Sequence, residues 1–280
     1  MACILSYNLS VTDLLSFLVA ITQLNYVRSS KSEPNEMLEQ LKLIGRTTLF
    51  GIYEKGINRV MENENVRVRM ASITILSWLF HACRPLTVRE LSEIVCLSHD
   101  ELTANDYVEA IAQCDSFLAI GEWEGEPSVG IRHETVQTFL AQRCRKILLK
   151  EENIAEVCLR YLLAITTRIH GVFKDLASLK TFVDSFPFSR YAARNWAFHL
   201  KGEPETRSNI QALFETLVHS SENLECIAQL ALNTVGPEDK PWGHRGKTWV
   251  HVVSQYNLLS LATYGMTTRF ANLGVRVSLF

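Results

Sequence analysis

Residues 78–93, WLFHACRPLTVRELSE, restrict what this chain can fold into more than any other stretch. An apolar helical run meets Arg84 and Pro85. Proline lacks the backbone N–H a helix interior needs, and its ring collides with the preceding turn, so the helix must stop. A new start follows at once. Thr87 stands in a capping position and Glu90 lies three residues on, the spacing at which hydroxyl and carboxylate satisfy each other's free backbone N–H. Forty residues later IRHETVQTFLAQ predicts a short strand running into a helix at His133. Between the two, SFLAIG (116–121) and SVGIRH (128–133) read as strands around GEWEGEP, a loop rich in glycine and charge.

Apolar residues at helical spacing predict further helices over 9–27, 37–44, 47–61 and 66–83, with Pro34 placed as a helix-start residue and Gly45 as a stop. The capped helix, 87–96, should turn Val88, Leu91, Ile94 and Val95 inward. The next, 103–114, offers Tyr107, Val108 and Ile111 as its apolar face, and a helix over 134–149 follows the second strand. Helix, helix, helix, hairpin, helix is the order of a winged helix. The stretch 151–232 is helical again, and TVGPEDKPWGHRGKT from 234 reads as loop. The expected fold is mainly α: a winged helix with a small β-hairpin, flanked by helical segments.

Charge decides between uses of such a fold. From Asp100 through Val129 there are eight carboxylates and no lysine or arginine. Nucleic-acid binding draws most of its affinity from lysine and arginine on phosphates, so this wing should repel DNA. A net charge of −2 gives no reason to expect an anionic membrane either. The apolar run 14–24 is too short to span a bilayer and lacks a basic leader. Seven cysteines are scattered without a C-x-x-C pair, which argues against zinc and for free thiols in a reducing compartment, so the cytoplasm is expected. Ser128 sits in EPSVG, which lacks the first glycine of a G-x-S-x-G elbow. His81, His199 and His251 have no cysteine or serine partner visible in the sequence. No catalytic residue, metal site or cofactor is expected, and partners should be proteins.

WLFHACRPLTVRELSEIV, IRHETVQTFL, CLRYL and FPFSRYAARNWAFHL follow one another in the order seen in fungal-type NACHT proteins, which are STAND-class signalling NTPases that often end in ankyrin repeats. The similarity runs from about Phe17 to about Leu200. It resembles their winged-helix segment, labelled after GPI inositol-deacylase, and the helices behind it. GKTWVHVVSQYNLLSLATYG resembles a degraded first ankyrin repeat: Gly246, Thr248 and His251 match, while Trp249 replaces a proline and Val253 an alanine. The resemblance implies a division into 1–65, a helical segment that follows an NTPase core; 66–150, the winged helix; 151–232, a helical bundle; and 233–280, a linker with a partial ankyrin-like repeat. The core itself should precede residue 1. Gly246-Lys247-Thr248 is only the end of a phosphate-loop motif, with Pro241 where its first glycine belongs. Nucleotide is therefore expected only with an upstream core.

Two sets of residues follow. The resemblance places His133 where STAND proteins carry a histidine that contacts nucleotide phosphates, although Arg132 and Glu134 depart from the usual Met-His-Asp; the plainer reading is a histidine tying a strand end to a helix end. Tyr191, Trp196 and His199 belong to one helical segment and read as core or, alternatively, as an interaction surface for a neighbouring module. Arg143, Arg145, Lys146 and Lys150 read as a solvated face near a helix C-terminus. The function implied is a non-catalytic regulatory and interaction module that couples a nucleotide switch to a repeat platform. A standalone protein-binding adaptor is the alternative, and a DNA-binding regulator is a third.

Overall fold

The computed structural model describes residues 49–99, 101–169, 172–232 and 249–267. The helices expected over 9–27 and 37–44, the linker 233–248 and the chain end after 267 lie outside them. The described residues form two compact units. The first holds 49–80, 99–122 and 127–148; the second holds 81–98, 123–126 and 149 onward. The stretch expected as one winged-helix segment, 66–150, thus contributes to both.

In the first unit, α1 (Leu49–Met61) and α2 (Val66–His81, its last residue excepted) are joined by α4 (Ala104–Gln113), the body of a hairpin and α5 (Glu134–Phe139), which runs into a π turn at Leu140–Cys144. The single helix expected over 134–149 is therefore shorter. Aromatic rings make the core: Tyr53 lies 5.9 Å from Phe117 and 5.4 Å from Phe139, and Phe50 meets Phe139 edge-on at 5.4 Å. Gly56 lets α1 approach this cluster. A Cβ there would stand 2.6 Å from Ser116 Oγ and 2.9 Å from the Phe117 ring.

Helix α4 turns differently from expectation. Its inward residues are Asp106 and Ala110, with Cys114 just beyond, and Val108 is 66% exposed. The cause is polar. Asp106 accepts from the Thr103 N–H and hydroxyl and from Asn65 Nδ2 at 2.9 Å, and Thr103 Oγ1 accepts the Asp106 N–H. This reciprocal cap outranks the exposure of one valine in fixing the helix face.

The hairpin is tighter than the sequence suggested. Its strands, β2 (Leu118–Trp123) and β3 (Glu126–Ile131), leave only Glu124 and Gly125 as the turn. Both have positive φ, 51° and 82°. That pair of left-handed residues matches the right-handed twist of the strands and closes a two-residue loop. A two-residue strand, β1 (Leu86–Thr87), belongs to the second unit.

The second unit is a helical bundle. It contains α3 (Val88–Ser98), α6 (Glu151–Ile169), α7 (Leu176–Ser185), α8 (Phe188–Leu200), a 3-10 turn at Glu203–Thr206, α9 (Ser208–Val218), α10 (Ser221–Leu232), α11 (Trp249–Tyr256) and α12 (Leu259–Thr267). The Thr87/Glu90 capping box forms as expected: Glu90 N donates to Thr87 Oγ1 and Thr87 N to Glu90 Oε2. Leu91, Ile94 and Val95 are buried, while Val88 is 37% exposed. Helix α8 is the centre, packed on α3, α6 and α10. Ala192, Ala193 and Ala197 allow these close approaches. Its first turn lacks a side-chain cap of its own, and Glu93 of α3 supplies one by accepting the Phe188 N–H at 2.7 Å and the Tyr161 hydroxyl at 2.8 Å. Burial pushes the Glu93 carboxyl above the usual range, and these donors only partly offset it.

Candidate interaction site at the hairpin tip

Ten of the thirteen residues of α8 are buried; Arg190, Arg194 and Phe198 are not among them. Arg190 and Arg194 are one helical turn apart and so share a face. Both reach the same carboxylate at the tip of the hairpin, whose residues 123–126 belong to the second unit. Arg190 Nη2 donates to Glu124 Oε2 at 2.8 Å, and Arg194 Nη1 to Oε1 at 2.9 Å. Arg194 Nε also donates to the Ala231 carbonyl at 2.6 Å, which fixes its guanidinium against α10. The Arg194 bond holds the Glu124 carboxyl below the usual range and outweighs its partial burial.

A second anchor lies beside the first. The Arg84 guanidinium sits 5.0 Å from the Tyr191 ring and 5.8 Å from the Trp123 ring. It donates both ends to Glu90, at 2.6 and 2.9 Å. Glu90 therefore caps α3 and neutralises an arginine held between two aromatic faces, an arrangement suited to guanidinium. The cleft left among Arg84, Glu90, Trp123, Glu124, Asp184 and Arg190 is about 40 Å³. That holds a water or two and no nucleotide. What the site can do is grip the hairpin tip by charge and stacking.

Three other acids of the wing region are engaged inside the first unit. Asp115 lies 3.7 Å from Arg132, and Glu109 accepts from Asn63 Nδ2 at 3.2 Å. Asp106 is held by its cap. Asp100 lies outside the described residues.

His133 is the N-cap of α5. Its Nδ1 accepts the Thr135 N–H at 3.2 Å, and the Thr135 hydroxyl reaches Tyr53 Oη at 3.1 Å. The ring ties the strand end to the helix start, and that nitrogen is turned onto its own helix, not outward. Tyr191, Trp196 and His199, considered above as an interaction surface, are buried within the second unit. Tyr191 Oη accepts the Cys83 N–H at 3.1 Å and meets His199 Nε2 at 3.0 Å; Trp196 lies 6.2 Å from Phe214. A partner would have to open the bundle to touch them. The residues of the same segment that are not buried are the half-buried Arg190 and Arg194 and the exposed Phe198. The signal for the two arginines, which the sequence reading passed over, was an i, i+4 basic pair in a chain whose wing is acidic.

One further expectation changes. His199 does face a cysteine: Cys83 Sγ lies 4.0 Å from its Nε2, although 116 residues separate them in sequence. Ser128 is buried in the hairpin, which denies it a nucleophile's access. Arg143, Arg145, Lys146 and Lys150 are exposed, as a solvated face should be. Among the described residues no three His, Cys, Asp or Glu side chains are grouped to hold a metal, and no helix is long and apolar enough to cross a membrane. Gly246-Lys247-Thr248 and the side chain of His251 lie outside the described residues.

Element order, capping and hairpin together define a winged helix within a mostly helical chain. Residues 60–149 match the family model described as GPI inositol-deacylase, winged helix domain. No curated protein and no solved structure matches the chain.

Proposed function

We propose that this chain is a non-catalytic regulatory and interaction module of a STAND-class protein of the NACHT type. It couples a nucleotide-switch core to a C-terminal repeat platform in the cytoplasm. The observation that carries this reading is the hairpin tip. A wing that serves DNA presents lysine and arginine to phosphates. This tip presents Glu124, already gripped by Arg190 and Arg194 of the chain's own helix. A wing committed to protein contacts suits a module whose work is packing, and nucleotide-state signalling runs through elements with two discrete packings. The match of residues 60–149 to a winged helix supports the same reading, as does the ordered resemblance of the segments behind it.

Affinity capture from the native cell in the presence of ADP or of a non-hydrolysable ATP analogue tests it. The reading expects a NACHT-type NTPase polypeptide to co-purify in one nucleotide state and not the other. Association indifferent to nucleotide, or none with any NTPase, would refute it.

A further inference from the structure

We propose that Cys83 is an activated thiol, a site of covalent modification by hydroperoxides and soft carbon electrophiles, with His199 as the proton acceptor and Glu151 as a positioning residue. This stands on a side-chain cluster separate from the hairpin tip and does not depend on the function proposed above.

Six cysteines are described, and four of them, Cys114, Cys144, Cys158 and Cys226, are buried. Burial pushes the Cys114 and Cys226 thiols up to about 12 and the Cys144 thiol up to about 11, which leaves almost no thiolate at neutral pH. Cys83 and Cys96 are exposed. Cys83 faces an imidazole. It lies in the break between α2 and β1, with Sγ 4.0 Å from His199 Nε2.

His199 is itself 1% exposed, and its other nitrogen is spoken for. Nδ1 stands 3.5 Å from Glu151 Oε1. A carboxylate on Nδ1 fixes the ring, places the proton there and leaves the Nε2 lone pair toward the thiol and the Tyr191 hydroxyl. Once Nε2 is protonated, the Tyr191 oxygen can accept from it, so the imidazolium keeps a partner. The opposite oxygen of Glu151 faces His81 Nδ1 at 3.9 Å. Burial alone would lower the His199 pKa; the Cys83 thiol and the Glu151 carboxylate more than reverse that, and it lies above the ordinary value. Exposed sulfur, buried base and acidic orienter are the three parts that nucleophile activation requires.

The chemistry balances with either class of reagent. Toward a hydroperoxide, the sulfur attacks the outer peroxide oxygen: an S–O bond forms and the O–O bond breaks. The thiol proton passes through His199 to the leaving alkoxide or hydroxide. Sulfur is oxidised by two electrons to the sulfenic acid and the peroxide is reduced to alcohol or water. Toward iodoacetamide, an S–C bond forms, iodide leaves and the proton moves through His199 to solvent.

Iodoacetamide in limiting amount at pH 7, with peptide mass spectrometry of the full folded chain, tests the proposal, and Cys96 is the internal reference. Cys83 should be labelled at least about tenfold faster than Cys96, less than the roughly hundredfold or more that a base in close contact supplies, because sulfur and nitrogen stand 4.0 Å apart. Glu151→Gln should cut that advantage several-fold and shift the pH profile of Cys83 labelling, with circular dichroism unchanged. His199→Gln should bring Cys83 down to the rate of Cys96. Hydrogen peroxide followed by dimedone should mark Cys83 before Cys96. Equal rates in the native chain would overturn the proposal, as would a rate and pH profile left unmoved by Glu151→Gln. If His199→Gln unfolds the bundle, which rapid labelling of Cys226 would reveal, the Glu151→Gln result decides.

Discussion

Replacing Arg84 by methionine should be among the most damaging single changes to the second unit. Methionine keeps the apolar stem that lies between Trp123 and Tyr191 and removes the charge. The Arg84 and Glu90 side chains are only 12% and 5% exposed, and two bonds of 2.6 and 2.9 Å join them. Removing one member of such a pair strands the other as a buried charge, at a typical cost of about 3–5 kcal/mol. Glu90 keeps the Thr87 N–H as a donor, so the lower figure applies: about 3 kcal/mol, or a fall in Tm of roughly 6–12 °C for a unit of this size. Glu90→Gln added to that background removes the stranded charge while its carbonyl still accepts from Thr87, so about half the loss should return. Thermal unfolding followed by circular dichroism on the two single variants and the double variant reads both numbers. A loss under about 0.5 kcal/mol for Arg84→Met, the level of an ordinary surface change, would show the reasoning wrong. So would a double variant no more stable than Arg84→Met alone.

Gly56→Ala should destabilise the first unit by about 1–3 kcal/mol, because its methyl would overlap Ser116 and Phe117; urea unfolding measures it. Glu124→Asn keeps a residue suited to positive φ and removes the arginine contacts, so hydrogen exchange at the tip should quicken while the strands stay paired. Gly125→Val should disturb the strands themselves, because a β-branched residue resists the left-handed region. The His199–Glu151 pair predicts a pH dependence with a definite sign. The folded pKa of His199 is raised, so its stabilisation is complete below the ordinary histidine value and is lost as pH rises through the folded value. The His199 bond lowers the folded pKa of Glu151, so its stabilisation is present above the ordinary carboxylate value and is lost as pH falls through the folded value. Both hold between those limits, so Glu151→Gln should lower Tm most near about pH 6 and least near about pH 9. An equal shift at both pH values would discard the pair as a source of stability.

Much of the fold was legible because it is written locally. The break at Pro85 and the Thr87/Glu90 cap are contiguous chemistry, and both stand where the sequence put them. The hairpin was visible by composition, but its turn was read too long: Glu124 is a poor residue for positive φ, and only its pairing with Gly125 and its two arginine contacts explain its place there. The face of α4 was misjudged because apolar periodicity counts Val108 and overlooks Asp106, whose hydrogen bonds reach back to Asn65. The tip site left only one mark in the sequence, the i, i+4 pair Arg190 and Arg194. Glu124 and Arg194 are 70 residues apart, and nothing local to either announces the other. Cys83 and His199 were overlooked for the same reason. His133 was the opposite case: strand before, helix after and a ring nitrogen between them foretold a cap, and a cap is what it makes.

We propose that this wing serves protein contacts and not nucleic acid. Fluorescence anisotropy of a labelled 20-base-pair duplex at about 50 mM salt tests it directly, since nonspecific DNA binders bind with Kd of about 10⁻⁴–10⁻⁶ M even at physiological salt. No saturable binding is expected at micromolar concentrations of the native chain, nor with Glu124→Asn. Saturable, salt-sensitive binding that hairpin substitutions abolish would contradict it.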